Sequence, residues 1–329
     1  MSTQPAISII TPVWNGMPYI IECIESVLNQ EFTDWELIIG DNGSTDGTID
    51  YLNTLNDERI KIFKHKVNKG IFGNLNFLFN HTNAPISQIL CADDYFINKN
   101  SLGIIVNYWQ NLPDVSFARF NHKEPTNSKN VLLQQQVCPE VITPDDAALW
   151  FYIFGNIPGN LSNVSLKNSL FENVGMFRED LPYAGDFEFW TRAALTVKMG
   201  VKNDMLIYVR RHEGVASNYL NKKGELIAQR HEVMQSVYNI LIKKYPGYKR
   251  LLKSMGTLSC DTQVRSTAIR AWLKENKSHL QELNKVNKIA TYVYGSLLRW
   301  VYFALYITGC ISVDRLSKTI IKKLLSSSY

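Results

Sequence analysis

Short apolar runs alternate with stretches of helical spacing through the first part of the chain. "AISIITPV" is β-branched and predicts a strand; Met17 to Gln30 follows, with Ile20, Ile21, Ile24, Val27 and Leu28 at helical intervals. "WELIIGD" predicts a second buried strand, closed by the turn-forming "DNGSTDGT", and Thr48 to Leu55 has helical spacing again. "RIKIFKH" alternates as a third strand, Gly70 to Asn80 is apolar-periodic, and "ISQILCA" is a fourth strand. Strands separated by helices of this length predict βαβ units and an α/β fold with a mainly parallel sheet. Ligands of such sheets bind beyond the carboxyl ends of the strands. Thr11, Asp41 and Asp93 all fall at predicted strand ends, so the fold would gather them on one edge.

From about Gly224 the pattern changes to long helical segments rich in Lys and Leu, interrupted by "KKYPGYKR". Two regions are therefore expected, an α/β domain over 1–221 and a basic helical region over 222–329. Charge sharpens the division. Residues 1–221 carry 16 Lys/Arg against 24 Asp/Glu, and residues 222–329 carry 19 against 6, so the net +5 conceals −8 and +13. The second region should be drawn to something anionic, either nucleic acid or a membrane surface. Ile289 to Ile311 is a run of 23 residues with a single charge, Arg299. About 20 apolar residues suffice for a membrane span. With Arg299 near the middle and many Tyr and Trp, a helix lying in the membrane surface explains more. Lys285, Lys288, Arg315, Lys318, Lys322 and Lys323 flank it. A helix buried against the first region or a dimer partner is the alternative.

An apolar content of 45% with 20% charged residues is that of a folded globular protein. Five scattered cysteines without C-x-x-C spacing argue against a disulfide framework and a structural zinc, and for a reducing cytosol. "MSTQPAISIITPV" lacks the basic start and long apolar core of a signal peptide, so a cytoplasmic location is expected.

Singly, each polar cluster has an ordinary structural reading: "DNGSTDG" as a turn, Asp93 and Asp94 as the cap of a following helix. Their order changes that reading. "TPVWNG", "DNGSTDGT", "NKG", "ADD" and "GDFEFW" follow one another, each where a strand ends or a loop begins. Over roughly residues 5–215 the chain thereby resembles the family-two glycosyltransferases of the GT-A fold. The resemblance implies a Rossmann-like sheet flanked by helices. It also implies inverting transfer of a sugar from a nucleotide-sugar, usually with a divalent metal.

Residue by residue, the resemblance gives Thr11, Pro12, Val13 and Asn15 to the first strand and loop, which wrap the nucleoside. Asp41 matches the carboxylate that accepts from the pyrimidine ring, and Asn42 stands where the family often has a second acid. Lys69 and Gly70 match a loop near the donor, where glycine permits close backbone approach. Ala92 and Asp93 also line the nucleotide site, and Asp93 with Asp94 matches the end of the family's D-x-D-type motif. Cys91 holds that motif's first position; a thiol is a poor Mg²⁺ ligand, so Cys91 is assigned to packing and the metal chiefly to Asp93. Asp186 matches the general base, a role compatible with capping a helix, and Glu188 is the second choice. His212 matches a histidine that reaches the metal or diphosphate, and a nitrogen ligand favours Mn²⁺ over Mg²⁺. Arg210 and Arg211 are candidates for phosphate, Asp94 for the phosphate or acceptor side of the site, Ser217 for the same pocket, and Asn156 and Asn160 for the acceptor or for loop backbone groups.

The combined expectation is an inverting glycosyltransferase using a UDP-sugar, or next a dTDP-sugar, with Mn²⁺ or Mg²⁺. Its acceptor would be a glycan or lipid-linked glycan in surface polysaccharide synthesis. The chain would sit peripherally at the inner face of the cytoplasmic membrane, with no nucleic-acid partner; its oligomeric state is open. A nucleotidyltransferase would carry a glycine-rich basic loop after the first strand, which "TPVWNG" is not. A non-catalytic nucleotide- or glycan-binding relative is the other alternative, because an acid is replaced at Cys91.

Overall fold

The computed structural model describes residues 4–123, 134, 136–212 and 223–325. The chain divides into two compact units, and the first runs to Asn127 and resumes over Cys138–Pro144 and Pro158–His212. It opens with the alternation the sequence predicts: β1 (Ile7–Val13), α1 (Tyr19–Leu28), β2 (Trp35–Asp41), α2 (Thr48–Leu52), β3 (Ile60–Lys64), α3 (Gly70–Phe79) and β4 (Ile86–Ile89). There follow β5 (Tyr95–Phe96), α4 (Ser101–Asn111), β6 (Phe117–Lys123) and β7 (Val141–Ile142). α5 (Pro144–Phe154) belongs almost wholly to the second unit, and the first resumes with β8 (Val164–Lys167), α6 (Leu170–Val174), α7 (Gly185–Ala194) and β9 (Met199–Tyr208).

The sheet runs β3-β2-β1-β4-β8-β6-β9-β5, with β7 also on β9. β1 pairs in parallel with β2 and β4, β2 with β3, and β6 with β9, while β8, β5 and β7 pair antiparallel to their neighbours. Every residue of β1 and β2 is buried, as befits central parallel strands covered on both faces. Their register sets Val13 against Asp41, so the loops after both strands leave the sheet side by side. Buried Glu36 knots the opposite half of β2, accepting from Ser8 Oγ (2.6 Å), Asn83 N–H (2.6 Å) and Lys61 Nζ (2.7 Å).

α1 turns Ile20, Cys23, Ile24 and Val27 into the core, while Ile21 is half-buried and Leu28 exposed. Cys23 rather than Ile21 completes the face, because a period of 3.6 carries Ile21 and Leu28 onto its flank. α2 stops at Leu52, short of the Leu55 expected from spacing.

The second unit holds Ser128–Val137, Asp145–Ile157 and the chain beyond His212. The expected boundary at 221/222 lies outside the described residues, and the helical unit also takes in α5 from earlier in the chain: Ala147 to Phe154 are all buried, and Tyr152 Oη donates to Leu252 C=O at 2.9 Å. α8 (Glu225–Lys244) and α9 (Lys249–Gly256) lead into a buried π turn, Thr257–Thr262, and α10 (Gln263–Leu273). α11 (Ser278–Ile289), α12 (Ser296–Ile307) and α13 (Val313–Leu324) complete the unit. Buried Asp261 pairs with Arg265 (2.9 Å) and accepts from Asn287 Nδ2 (2.7 Å).

The apolar run Ile289 to Ile311 is not one helix. α11 ends at Ile289, Ala290 is extended, and Gly295 caps α12, which has 12 residues and spans about 18 Å. Among the described residues no helix is long and apolar enough to cross a membrane.

Candidate active site

The loops after β1 and β2 clasp each other. Asn15 takes a left-handed φ of 51°, which Asn tolerates; its N–H donates to Ser44 Oγ (2.7 Å) and its Oδ1 accepts from Thr45 N–H (2.8 Å). Gly16 N–H donates to Thr48 Oγ1 (2.9 Å) and Met17 N–H to Asp46 (2.9 Å). Thr11, Pro12 and Val13 are buried, so it is backbone rather than side chain that this stretch can show a ligand. Val13 C=O is itself taken by Asn42 N–H at 2.8 Å.

Asp41 ends β2 at 1% exposure. Its Oδ2 accepts from the N–H groups of Gly43 (3.0 Å) and Ser44 (3.1 Å), while its buried Oδ1 has no hydrogen-bond partner among the described residues. A buried carboxylate oxygen without a donor is costly, and a ligand N–H would relieve that cost. Asn42 fastens the next loop: its Nδ2 donates to Asn68 Oδ1 (2.8 Å) and Gly70 C=O (3.1 Å), and its Oδ1 accepts from Lys69 N–H (2.9 Å). An acid here could not make the two donor bonds, which gives the Asn a physical reason. Gly70 has φ +71° and faces open space, and the exposed Lys69 lies 5.4 Å from the Phe77 ring.

After β4 the backbone turns through Cys91, Ala92, Asp93 and Asp94. Asp94 faces inward at 5% exposure; its Oδ2 accepts from Ser162 Oγ (2.5 Å) and its Oδ1 from Arg210 N–H (2.9 Å). Burial, then the neighbouring Asp93 charge, pushes its carboxyl up to about 7, against the pull of those two donors and Arg211. Ser162 Oγ also accepts from Cys91 N–H (2.9 Å), so one hydroxyl pins both ends of the turn. Burial likewise pushes the Cys91 thiol well up, which keeps it protonated and unsuited to ligation.

Asp93 faces outward. Its Oδ2 lies 3.2 Å from His212 Nε2, whose ring packs on Tyr19 at 4.5 Å. Arg210 braces the pair: its Nε donates to Asp93 C=O (3.0 Å), another nitrogen pairs with Glu22, and its guanidinium lies over Tyr19 and Tyr95 at 4.6 and 5.5 Å. These contacts occupy the guanidinium within the protein. Among the described residues no three His, Cys, Asp or Glu gather as a metal cluster. One carboxylate and one imidazole do fit a hard or borderline divalent cation whose other positions are phosphate oxygens and water.

Asp186 is the second residue of α7 rather than its cap, which is Ala184. Its Oδ1 accepts from Phe187 N–H at 2.7 Å, and the carboxylate is half-exposed where the helix dipole favours an anion. A Cβ on Gly185 would sit 2.6 Å from Phe72, so this glycine lets α7 start hard against α3. Glu188 is held by Arg192 at 2.8 Å, and Trp190 is fully buried.

Arg211 is exposed. Asn160 caps a short helical turn in the first unit, and Asn156 belongs to the second. Ser217 lies outside the described residues. Sequence reasoning missed Ser162, Tyr19 and Glu22. Ser162 stood two places from a polar residue already singled out, whereas nothing local marked Tyr19 or Glu22 as partners of the distant Arg210.

The sequence profile described as "Glycosyl transferase family 2" matches residues 8–174. An uncharacterized glycosyltransferase of Haemophilus influenzae is 26% identical over 246 residues, 70% of this chain and 73% of that protein. One from Rickettsia felis is 26% identical over 67% of this chain, which spans only 36% of that relative. Among solved structures, S. aureus TarS 1–349 in complex with UDP-GlcNAc has a TM-score of 0.55 at 16% identity, covering 96% of this chain and 91% of that one. Mannosyltransferase PcManGT from Pyrobaculum calidifontis, in complex with GDP-Man and Mn²⁺, has a TM-score of 0.53 at 17% identity, covering 99% and 87%. These likenesses show a shared fold, the mainly parallel sheet with flanking helices.

Proposed function

From the premise that this chain belongs to glycosyl transferase family 2, a family of glycosyltransferase enzymes, we propose that it moves a sugar from a pyrimidine nucleoside diphosphate sugar to a glycan or lipid-linked glycan hydroxyl, with inversion. The carrying observation is the unpartnered, buried Oδ1 of Asp41 at the end of β2. It suits the imide N–H of uracil, or of thymine next. Guanine offers an adjacent pair of donors, N1–H and N2–H, suited to both oxygens of a carboxylate, whereas Asp41 Oδ2 is already engaged by Gly43 and Ser44 and leaves one oxygen for one donor.

The clasped loops after β1 and β2 would lie under the nucleoside, and the glycine backbone of the Asn42-fastened loop would border the diphosphate. Asp93 and His212 would hold the cation, Mn²⁺ or Mg²⁺, which when bound neutralises charge building on the departing diphosphate. PcManGT with Mn²⁺ supports that reading. Arg210 and Ser162 keep the Asp93–Asp94 turn in place, a positioning role. Asp186 takes the proton from the acceptor hydroxyl as its oxygen forms the new bond to the anomeric carbon and the carbon–oxygen bond to phosphate breaks. An acceptor on a lipid carrier would place the reaction in surface polysaccharide synthesis. The test is release of nucleoside diphosphate from UDP- and dTDP-sugars with Mn²⁺; no release from any nucleotide sugar would refute it.

A further inference from the structure

α12 is built inside out. The residues of SLLRWVYFALYI that are half-covered, Arg299, Tyr302, Phe303 and Tyr306, form one helical stripe, and that stripe carries the helix's only charge. Arg299 donates to Asn287 C=O (3.0 Å), and Tyr302 Oη donates to Ser254 Oγ (2.7 Å). The opposite face is apolar and open, with Leu297 79% exposed and Val301 45%; Ile307 (65%) and Trp300 (50%) flank it, the Trp300 ring lying 4.5 Å from the Arg265 guanidinium on one side, and no residue of the helix is buried. Ile289, at the end of α11, adds 69% exposure. A helix meant for water turns its charges out, and this one turns its single charge in.

The helices before and after it in the chain supply the other half of the pattern. Lys285 and Lys288 on α11, and Arg315, Lys318, Lys322 and Lys323 on α13, are all exposed. α13 buries Val313, Ser317, Ile320 and Leu324, which leaves its lysines outside. We propose that α12 lies in the plane of an anionic lipid bilayer. Its Leu297, Val301 and Leu305 face enters the acyl boundary, Trp300 sits at headgroup level, and the lysines meet lipid phosphates. A second copy of the chain is the weaker occupant, because joining two such faces would bring like charges together. The inference does not rest on the transferase reading, since vesicle binding and donor binding are measured separately.

The test is cosedimentation of the full chain with vesicles of phosphatidylcholine, alone or mixed with phosphatidylglycerol, at low and high salt. The expected result is binding to the mixed vesicles at least about tenfold stronger than to the neutral ones, weakened by salt. Leu297→Glu with Val301→Glu, and separately Lys318→Gln with Lys322→Gln and Lys323→Gln, should each lower it at least about tenfold while melting stays cooperative. Three results would overturn the proposal: no vesicle binding, equal binding to neutral and anionic vesicles, or a dimer that Leu297→Glu with Val301→Glu dissociates without any change in vesicle binding.

Discussion

Asp93 Oδ2 and His212 Nε2 lie 3.2 Å apart although 119 positions separate them in the chain. The sheet makes the meeting: Asp93 follows β4, and His212 follows β9. If the pair holds a cation, Asp93→Ala and His212→Ala should each weaken UDP binding at least about tenfold with Mn²⁺ and leave it unchanged in chelator. Calorimetry in the two buffers reads this directly. Equal losses in both would make the pair a structural contact.

Asp186→Asn should keep α7 and donor binding intact, because Asn still accepts from Phe187 N–H. Transfer should fall by about 10²–10⁴ as the proton acceptor is lost. Near-normal turnover would remove Asp186 from the reaction.

Cys91→Asp restores the acid that the family's motif has at this place, but it sets a third carboxyl beside Asp93 and a buried Asp94 already pushed up to about 7. In chelator the variant should lose about 1–3 kcal/mol of stability from like-charge crowding, and Mn²⁺ should restore much of it. Thermal melts with and without metal measure both. A variant as stable as the parent in chelator would show that the site tolerates the charge unaided.

Glu36 gives a pH signature remote from the chemistry. Burial raises its carboxyl, but Lys61, Ser8 and Asn83 outweigh burial and hold it below the ordinary 4.5. Its stabilisation is therefore present above about pH 4.5 and lost as pH falls through the lower folded-state value. Glu36→Gln should cost about 2 kcal/mol at neutral pH and progressively less under acid. Urea titrations across pH would show the two curves converge; a constant gap would refute the assignment.

The parallel half of the sheet was legible because β1 to β4 are β-branched runs between helices whose apolar spacing survives inspection. Asp41 and Asp93 were legible as strand-end acids for the same reason. The antiparallel half was not: β5 and β7 have two residues each, too few to show a period. Arg210 reads as a phosphate ligand until Glu22, Tyr19 and Tyr95 are seen around it, contacts made across distant chain segments. Ser162 binds Asp94 from 68 positions away, and no local pattern announces such a bond. The break in Ile289 to Ile311 was written in Gly295 and the polar Thr291 and Ser296, but hydropathy averaged over the run conceals them. Arg299 looked like an obstacle to burial in lipid and is instead the residue that faces the protein.

The central claim is that the edge formed after β1, β2 and β4 binds a pyrimidine nucleoside diphosphate sugar. Its most direct test is a thermal-shift screen of UDP-, dTDP-, GDP- and CMP-sugars with and without Mn²⁺, repeated on Asp41→Ala. The account predicts stabilisation by the UDP-sugar, or the dTDP-sugar, that is larger with Mn²⁺ and lost in Asp41→Ala. No shift with any pyrimidine diphosphate sugar, or an undiminished shift in Asp41→Ala, would contradict it.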